Sequence, residues 1–205
     1  MRHLSLDEFA SRLASADPTP GGGSASAVAG ACGAALVSML ARLSLGRGGD
    51  DALFARTAEA MDRARTMLLD LAAEDARAYE AVLAAMRLPK GDDQEKRVRT
   101  QAIQRALREA AEVPLDVAAQ ALAVLEAARE ILPTANPNAA SDGGVAVLLS
   151  YASAHGAIAN VRINLASIKD EEYRKTITAR VDELVQRTAV LRDEGMALMQ
   201  ERLGR

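Results

Sequence analysis

An all-α fold, a single bundle of about six helices, is what this sequence predicts, and three observations carry that prediction. Alanine and leucine dominate a chain that is 49% hydrophobic, aromatic residues amount to only 2%, and no window sustains the apolar–polar alternation of a strand. A chain of 205 residues with that apolar content can bury a sizeable core, and no charge-rich or Ser/Gly-rich linker divides it, so residues 1–205 read as one domain. With no tryptophan, two phenylalanines and three tyrosines, the core must be aliphatic, and helices can approach closely.

Taken in order, the first helix starts at Ser5-Leu-Asp-Glu8, which has the Ser-x-x-Glu form of a capping box. The second runs from Ser24, a candidate N-cap, to about Leu45, and Gly46-Arg-Gly-Gly49 ends it. Its small residues Ser26, Gly30 and Ala34 recur every fourth position, so a neighbouring backbone can lie against them. Residues 24–41 carry no charge, but they are mostly Ala, Gly and Ser, and Arg42 follows, which reads as a buried helix more than a membrane span. A long third helix covers about Asp50 to Leu88 and is broken by Pro89-Lys-Gly91. The fourth starts near Asp92 and reaches Pro114, where proline kinks or restarts it, with helical spacing resuming through Leu122, Leu125 and Ile131. After the loop Pro133–Asn138, Ser141 or Asp142 can cap a helix to about Ile168, and an amphipathic helix covers about Glu171 to Leu203.

The formal charge of −3 argues against a nucleic-acid or membrane-surface binder, so an anionic ligand has to be recognised locally. The single cysteine, Cys32, sits among small residues and reads as structural. It allows no intrachain disulfide, and the N-terminus lacks a basic region with a leucine-rich core, which together fit a cytoplasmic location. Neither His3 nor His155 reads as catalytic, and with no HExxH and no cysteine cluster a metal site has little support.

Three features carry chemistry. Asp17-Pro-Thr-Pro-Gly-Gly-Gly-Ser24 delivers a glycine loop onto a helix start, where exposed N–H groups and the helix dipole suit an anion; a plain turn is the competing reading. On the third helix Leu68, Leu71, Asp75, Tyr79, Val82 and Met86 step by three and four as one stripe. Asp75 interrupts it, either as a desolvated general acid or base or as the partner of an arginine such as Arg97. In the fifth helix Asp142, Leu149, Ser153, Gly156, Asn160 and Asn164 share a narrow sector that lines a cavity, meets a partner or fixes register. Asp142 and Asn160 are about 27 Å apart along a straight helix, so one pocket cannot use the whole stripe. Lys90, Lys96, Arg97 and Arg99 form a basic cluster able to hold a polyanionic tail, or simply a solvated helix start.

Pro18–Ala27, Asp75-Ala-Arg-Ala-Tyr79, Arg87-Leu-Pro-Lys90, Val113-Pro-Leu115, Asn138-Ala-Ala-Ser-Asp142 and Asn160–Leu165 together resemble the cyclodeaminase/cyclohydrolase family, over about residues 5–200. The resemblance implies a homodimeric, all-helical enzyme acting on the one-carbon unit between N5 and N10 of tetrahydrofolate, with no metal and no cofactor beyond that substrate. Both activities of the family need a group that takes and returns a proton. On these motifs Asp75 and Asp142 are the catalytic candidates. Asp75 is the acid/base, and Asp142 with Asn138 holds the pterin or the attacking water. Asn160 and Asn164 line the pocket, Tyr79 covers the ring, and Gly21, Gly22, Gly23 and Ser24 bind an anionic part of the folate.

Overall fold

In a computed structural model that describes residues 3–204, the chain forms six α-helices and one short 3-10 turn, with no strand among the described residues. The helices are α1 (Leu6–Leu13), α2 (Gly22–Ser44), α3 (Asp51–Met86), α4 (Asp93–Ile131), α5 (Ala140–Leu165) and α6 (Glu171–Leu203), with the 3-10 turn at Pro137–Ala139. Side-chain caps explain most starts. Ser5 and Glu8 form the capping box of α1, and Asp50, Asp92 and Asp170 accept from the backbone N–H groups of Leu53, Glu95 and Tyr173. Gly46 and Gly48 take positive φ of 69° and 86° in the turn after α2, a conformation that glycine adopts without strain.

α2, α4 and α5 make the centre. α3 packs on α2 and α4, α6 packs on α5 and α4, and the core is almost wholly Ala, Val, Leu and Ile, with Phe54 its one fully buried ring. α2 and α5 run antiparallel in close contact. A Cβ built on Gly30 would lie 2.6 Å from Ser153 Oγ, one on Gly33 2.4 Å from Ser150 Oγ, and one on Gly156 2.3 Å from Ser26 Oγ. The spacing of small residues on α2 therefore has the anticipated purpose. Both helices are long and apolar enough to cross a membrane by length and composition, and each has about half of that apolar stretch buried in the bundle.

The structure corrects two starts and one break. α2 begins at Gly22 with Gly21 as its uncapped N-cap, so Ser24 lies inside the first turn instead of capping it. Ser141 and Asp142 do not cap α5, which is entered through the 3-10 turn and has Ala139 before its first residue. α4 passes through Pro114 as one helix of 39 residues. Proline lacks the N–H that would bond the carbonyl four residues earlier, that of Ala110. The Asn164 side-chain amide donates to that same carbonyl at 2.7 Å from α5, so the lost bond is replaced across the helix interface.

Candidate active site

The N-terminus of α2, the middle of α3 and the C-terminal half of α5 enclose a cavity of about 260 Å³, with Ala110 of α4 closing one side. Gly21, Gly22, Gly23, Asp75, Tyr79, Asn160 and Asn164 line it, together with Pro18, Thr19 and Ile163. A larger groove of about 540 Å³ between α4 and α6 is bounded instead by charged side chains that pair with one another, such as Arg129 with Glu194 at 2.9 Å. That groove is open, and its charges neutralise each other. Of the two, the smaller cavity is the one whose carboxyl has no cationic partner among the described residues.

Asp75 stands at its back wall. Burial pushes its carboxyl above the ordinary carboxylate value, while the Ser24 side chain and backbone act in the opposite direction. No cationic side chain pairs with it among the described residues, so the ion pair with Arg97 does not form. Ser24 is fully buried, and its hydroxyl faces two acceptors, Asp75 Oδ2 at 2.9 Å and the Ala72 carbonyl at 3.0 Å. One hydroxyl proton satisfies one acceptor at a time. With Asp75 ionised, Ser24 donates to the carboxylate; with Asp75 protonated, the carboxyl can donate to Ser24 while Ser24 turns to Ala72. The pair thus accepts either protonation state without orphaning a buried group, as a proton shuttle must.

Gly23 explains the glycine run. A Cβ there would fall 2.1 Å from Asp75 Oδ1, so only glycine lets the carboxylate lie against the first turn of α2. Gly22 adjoins Asn160 and the N-cap Gly21 has no side chain to offer; the Ser24 backbone N–H serves Asp75, which leaves the N–H groups of Gly22 and Gly23 for a ligand. Asn160 donates to the Gly156 carbonyl at 2.8 Å, and Asn164 donates to Ala110. Each amide is held through its NH₂, which leaves its oxygen as the group available for a donor on the ligand. Tyr79 and Met86 depart from the predicted stripe: both are exposed, whereas Leu68, Leu71 and Val82 are buried. Tyr79 is turned out because α3 there runs past the end of α2, and it forms part of the cavity rim.

Two candidates lie elsewhere. Asp142 is in the first turn of α5, about 27 Å along the helix from Asn160, and Asn138 is exposed in the preceding 3-10 turn. Neither reaches the cavity of its own chain. The buried asparagine of that loop is Asn136, which the sequence reading passed over. Its backbone N–H donates to Ser44 Oγ at 2.8 Å, its amide donates to the Leu43 carbonyl at 3.2 Å, and its Oδ1 accepts from the Asn138 N–H at 3.1 Å. Its position before a proline in a loop returning to the core was the available signal. His155 bonds Thr188 at 3.2 Å and stacks on Tyr151, a packing role as expected.

The family model for formiminotransferase-cyclodeaminase matches residues 5–183. The chain belongs to that family. It is 35% identical over 191 residues to a methenyltetrahydrofolate cyclohydrolase of Methylorubrum extorquens, covering 92% of both chains. It is also 35% identical over 187 residues to the formimidoyltransferase-cyclodeaminase of Sus scrofa, covering 90% of this chain but 35% of that protein. The crystal structure of formiminotetrahydrofolate cyclodeaminase from Thermotoga maritima superposes with a TM-score of 0.88 at 32% identity over 98% of each chain. In this family member the motifs Pro18–Ala27, Asp75–Tyr79 and Asn160–Leu165 meet at the cavity, while Asn138–Asp142 lies at the far end of α5.

Proposed function

We propose that the chain hydrolyses 5,10-methenyltetrahydrofolate to 10-formyltetrahydrofolate, with Asp75 as the acid/base. The observation that carries this is the desolvated Asp75 carboxyl, shared with the Ser24 hydroxyl and facing a cavity floored by the glycine turn of α2. Ionised Asp75 takes a proton from water as the water oxygen bonds to the methenyl carbon. It returns that proton to N5 as the bond from carbon to N5 breaks. The new hydroxyl then loses its proton to solvent, and the formyl group stays on N10. The Asn160 and Asn164 oxygens suit the N–H edge of the pterin, and the cationic amidinium bridge favours an ionised carboxylate beside it.

A cavity of about 260 Å³ accommodates only part of a folate. The aminobenzoyl-glutamate portion extends past the rim formed by Tyr79 and Ile163. Of the basic cluster that follows α3, Lys90 and Arg97 are exposed and would supply cations to its carboxylates; Lys96 is paired with Asp93 at 3.0 Å, and Arg99 donates to the Met86 carbonyl. Nothing in this proton transfer calls for a metal or a further cofactor. The reading places the enzyme in the cytoplasm as a homodimer bound neither to nucleic acid nor to membrane, supported by its slight negative charge and single thiol.

A second reading rests on the likeness to the Thermotoga cyclodeaminase. Here N10 attacks the formimino carbon of 5-formiminotetrahydrofolate, and Asp75 protonates the departing ammonia. Near-ultraviolet absorbance of the methenyl compound separates the two. Enzyme-accelerated loss of that absorbance supports the hydrolase, and its appearance from the formimino compound supports the deaminase. Silence in both assays would sink both.

A further inference from the structure

Val113-Pro-Leu115 carried part of the family resemblance, yet none of its residues lines the cavity. Its influence on the cavity runs through the backbone one turn earlier. Pro114 has no N–H to give the Ala110 carbonyl, and its ring crowds that carbonyl, which favours an oxygen turned outward from the axis of α4. Ala110 is a wall of the cavity, and the amide that meets its oxygen, at 2.7 Å, belongs to Asn164, another wall. A bond of that length sits at the short end of the N–H···O range and leaves little slack. It also fixes which way round the amide stands. A flipped amide would set its own oxygen against the Ala110 oxygen, two acceptors with no proton between them. Asn160, one turn earlier on α5, is held differently, because it donates to the Gly156 carbonyl of its own helix.

We infer that Pro114 is a positioning residue for substrate recognition: by freeing the Ala110 carbonyl it locks the Asn164 amide with its oxygen toward the ligand, so the cavity selects a group that brings an N–H donor there. The N–H edge of a reduced pterin is such a group, and in this respect the inference rests on the folate reading of the cavity. Pro114→Ala supplies the missing N–H and draws the Ala110 oxygen back toward the helix axis, so the Asn164 amide loses its anchor and turns freely. The rest of the junction does not depend on this bond. On either side of Ala110, Gln104 donates to the Ser167 carbonyl at 3.0 Å and accepts from the Lys169 N–H at 2.7 Å, and Glu112 accepts from the Tyr173 hydroxyl at 2.6 Å. Those contacts hold the α5/α6 turn and the start of α6 while the amide alone is released. Asp75 and Ser24 lie on α3 and α2, so the acid/base pair is untouched.

The test is a kinetic cycle on the full chain with Pro114→Ala, Asn164→Ala and the two combined. It is read as KM and kcat for 5,10-methenyltetrahydrofolate and as Kd for tetrahydrofolate by anaerobic calorimetry. Pro114→Ala should raise KM and Kd by about 3–10-fold, the worth of one well-placed neutral hydrogen bond, with kcat and its pH profile unchanged. Tm should not fall, since releasing a helix-interior proline outweighs the ring carbons lost. In the Asn164→Ala background Pro114→Ala should change KM by less than about twofold, whereas in an Asn160→Ala background its whole effect should remain. Unchanged KM and Kd for Pro114→Ala, or effects that multiply when it is combined with Asn164→Ala, overturn the inference and leave the folate reading standing. A higher KM joined to a lower kcat and a lower Tm marks the proline as structural and overturns the inference too. Wild-type protein that neither binds tetrahydrofolate nor consumes the methenyl compound overturns the folate reading itself, and the recognition role with it.

Discussion

At the residue scale the chemistry reduces to one carboxyl whose charge is disfavoured by burial and tuned by one hydroxyl. Asp75→Asn should lower turnover by about 10²–10⁴-fold while leaving the helical signal intact. It should also change stability in a pH-dependent way. Because burial raises the folded carboxyl above its ordinary value of 3.8, the wild type loses stability as pH rises from 3.8 through the folded value. Asparagine does not pay that cost, so the variant should melt higher than wild type at pH 7, and its advantage should shrink as the pH is lowered toward 3.8. Ser24→Ala removes an interaction that lowers the Asp75 value. The basic-form limb of kcat against pH should therefore move to higher pH, and an unmoved limb would show that Ser24 does not act on the carboxyl. From the sequence, Asp75 was visible as a break in an apolar stripe. Its partner was not, because a serine contact 51 positions away leaves no local pattern.

At the element scale the proline in α4 and the asparagine in α5 act as one device. Pro114 withholds an N–H from Ala110, and Asn164 supplies the replacement. Asn164→Ala should destabilise the protein by about 1–3 kcal/mol, the cost of an orphaned buried acceptor. In a Pro114→Ala background the helix can bond its own carbonyl, so the same substitution should cost less. A double-mutant cycle by urea unfolding should show coupling of about 0.5–3 kcal/mol, and additive effects would remove the link. Helix ends were readable where a side chain caps, as at Ser5, Asp50 and Asp92. Ser24, Ser141 and Asp142 are cap-type residues that do not cap, because glycine and 3-10 entries start α2 and α5 with backbone alone. Pro114 signals a kink or restart in the sequence, since the partner that rescues it, Asn164, lies on another helix.

At the scale of the whole molecule, the sequence made the architecture plain and the site only partly so. Class, helix number and the close-packing face of α2 followed from composition and small-residue spacing, which are local; that α5 is the neighbour on that face did not. Bringing the glycine turn, Asp75 and the two asparagines into one cavity depends on the antiparallel run of α2 and α5, which spacing alone does not set. The distance between Asp142 and Asn160 was legible from helix rise, and it already divided the motifs into two groups. A ligand that occupies the cavity should stabilise the entire bundle. Tetrahydrofolate at about 100 times its Kd contributes about 2.7 kcal/mol, which for a chain of this length raises Tm by about 5–10 °C. An unchanged Tm at saturation would place the ligand elsewhere.

The first helix has a consequence of its own. None of its residues is buried, and Phe9 rests beside Val28, Leu69 and Ala72 around a gap of about 210 Å³. Ala72 is also the residue whose carbonyl faces Ser24. A segment with no buried residue therefore forms an outer door beside the Ala72–Ser24 contact. Amide hydrogen exchange should be fast throughout α1 and slow across α2 and α5. Whenever that door swings open, water comes within one helix of the Ser24 contact, and Asp75 should for that interval titrate more like an ordinary carboxylic acid.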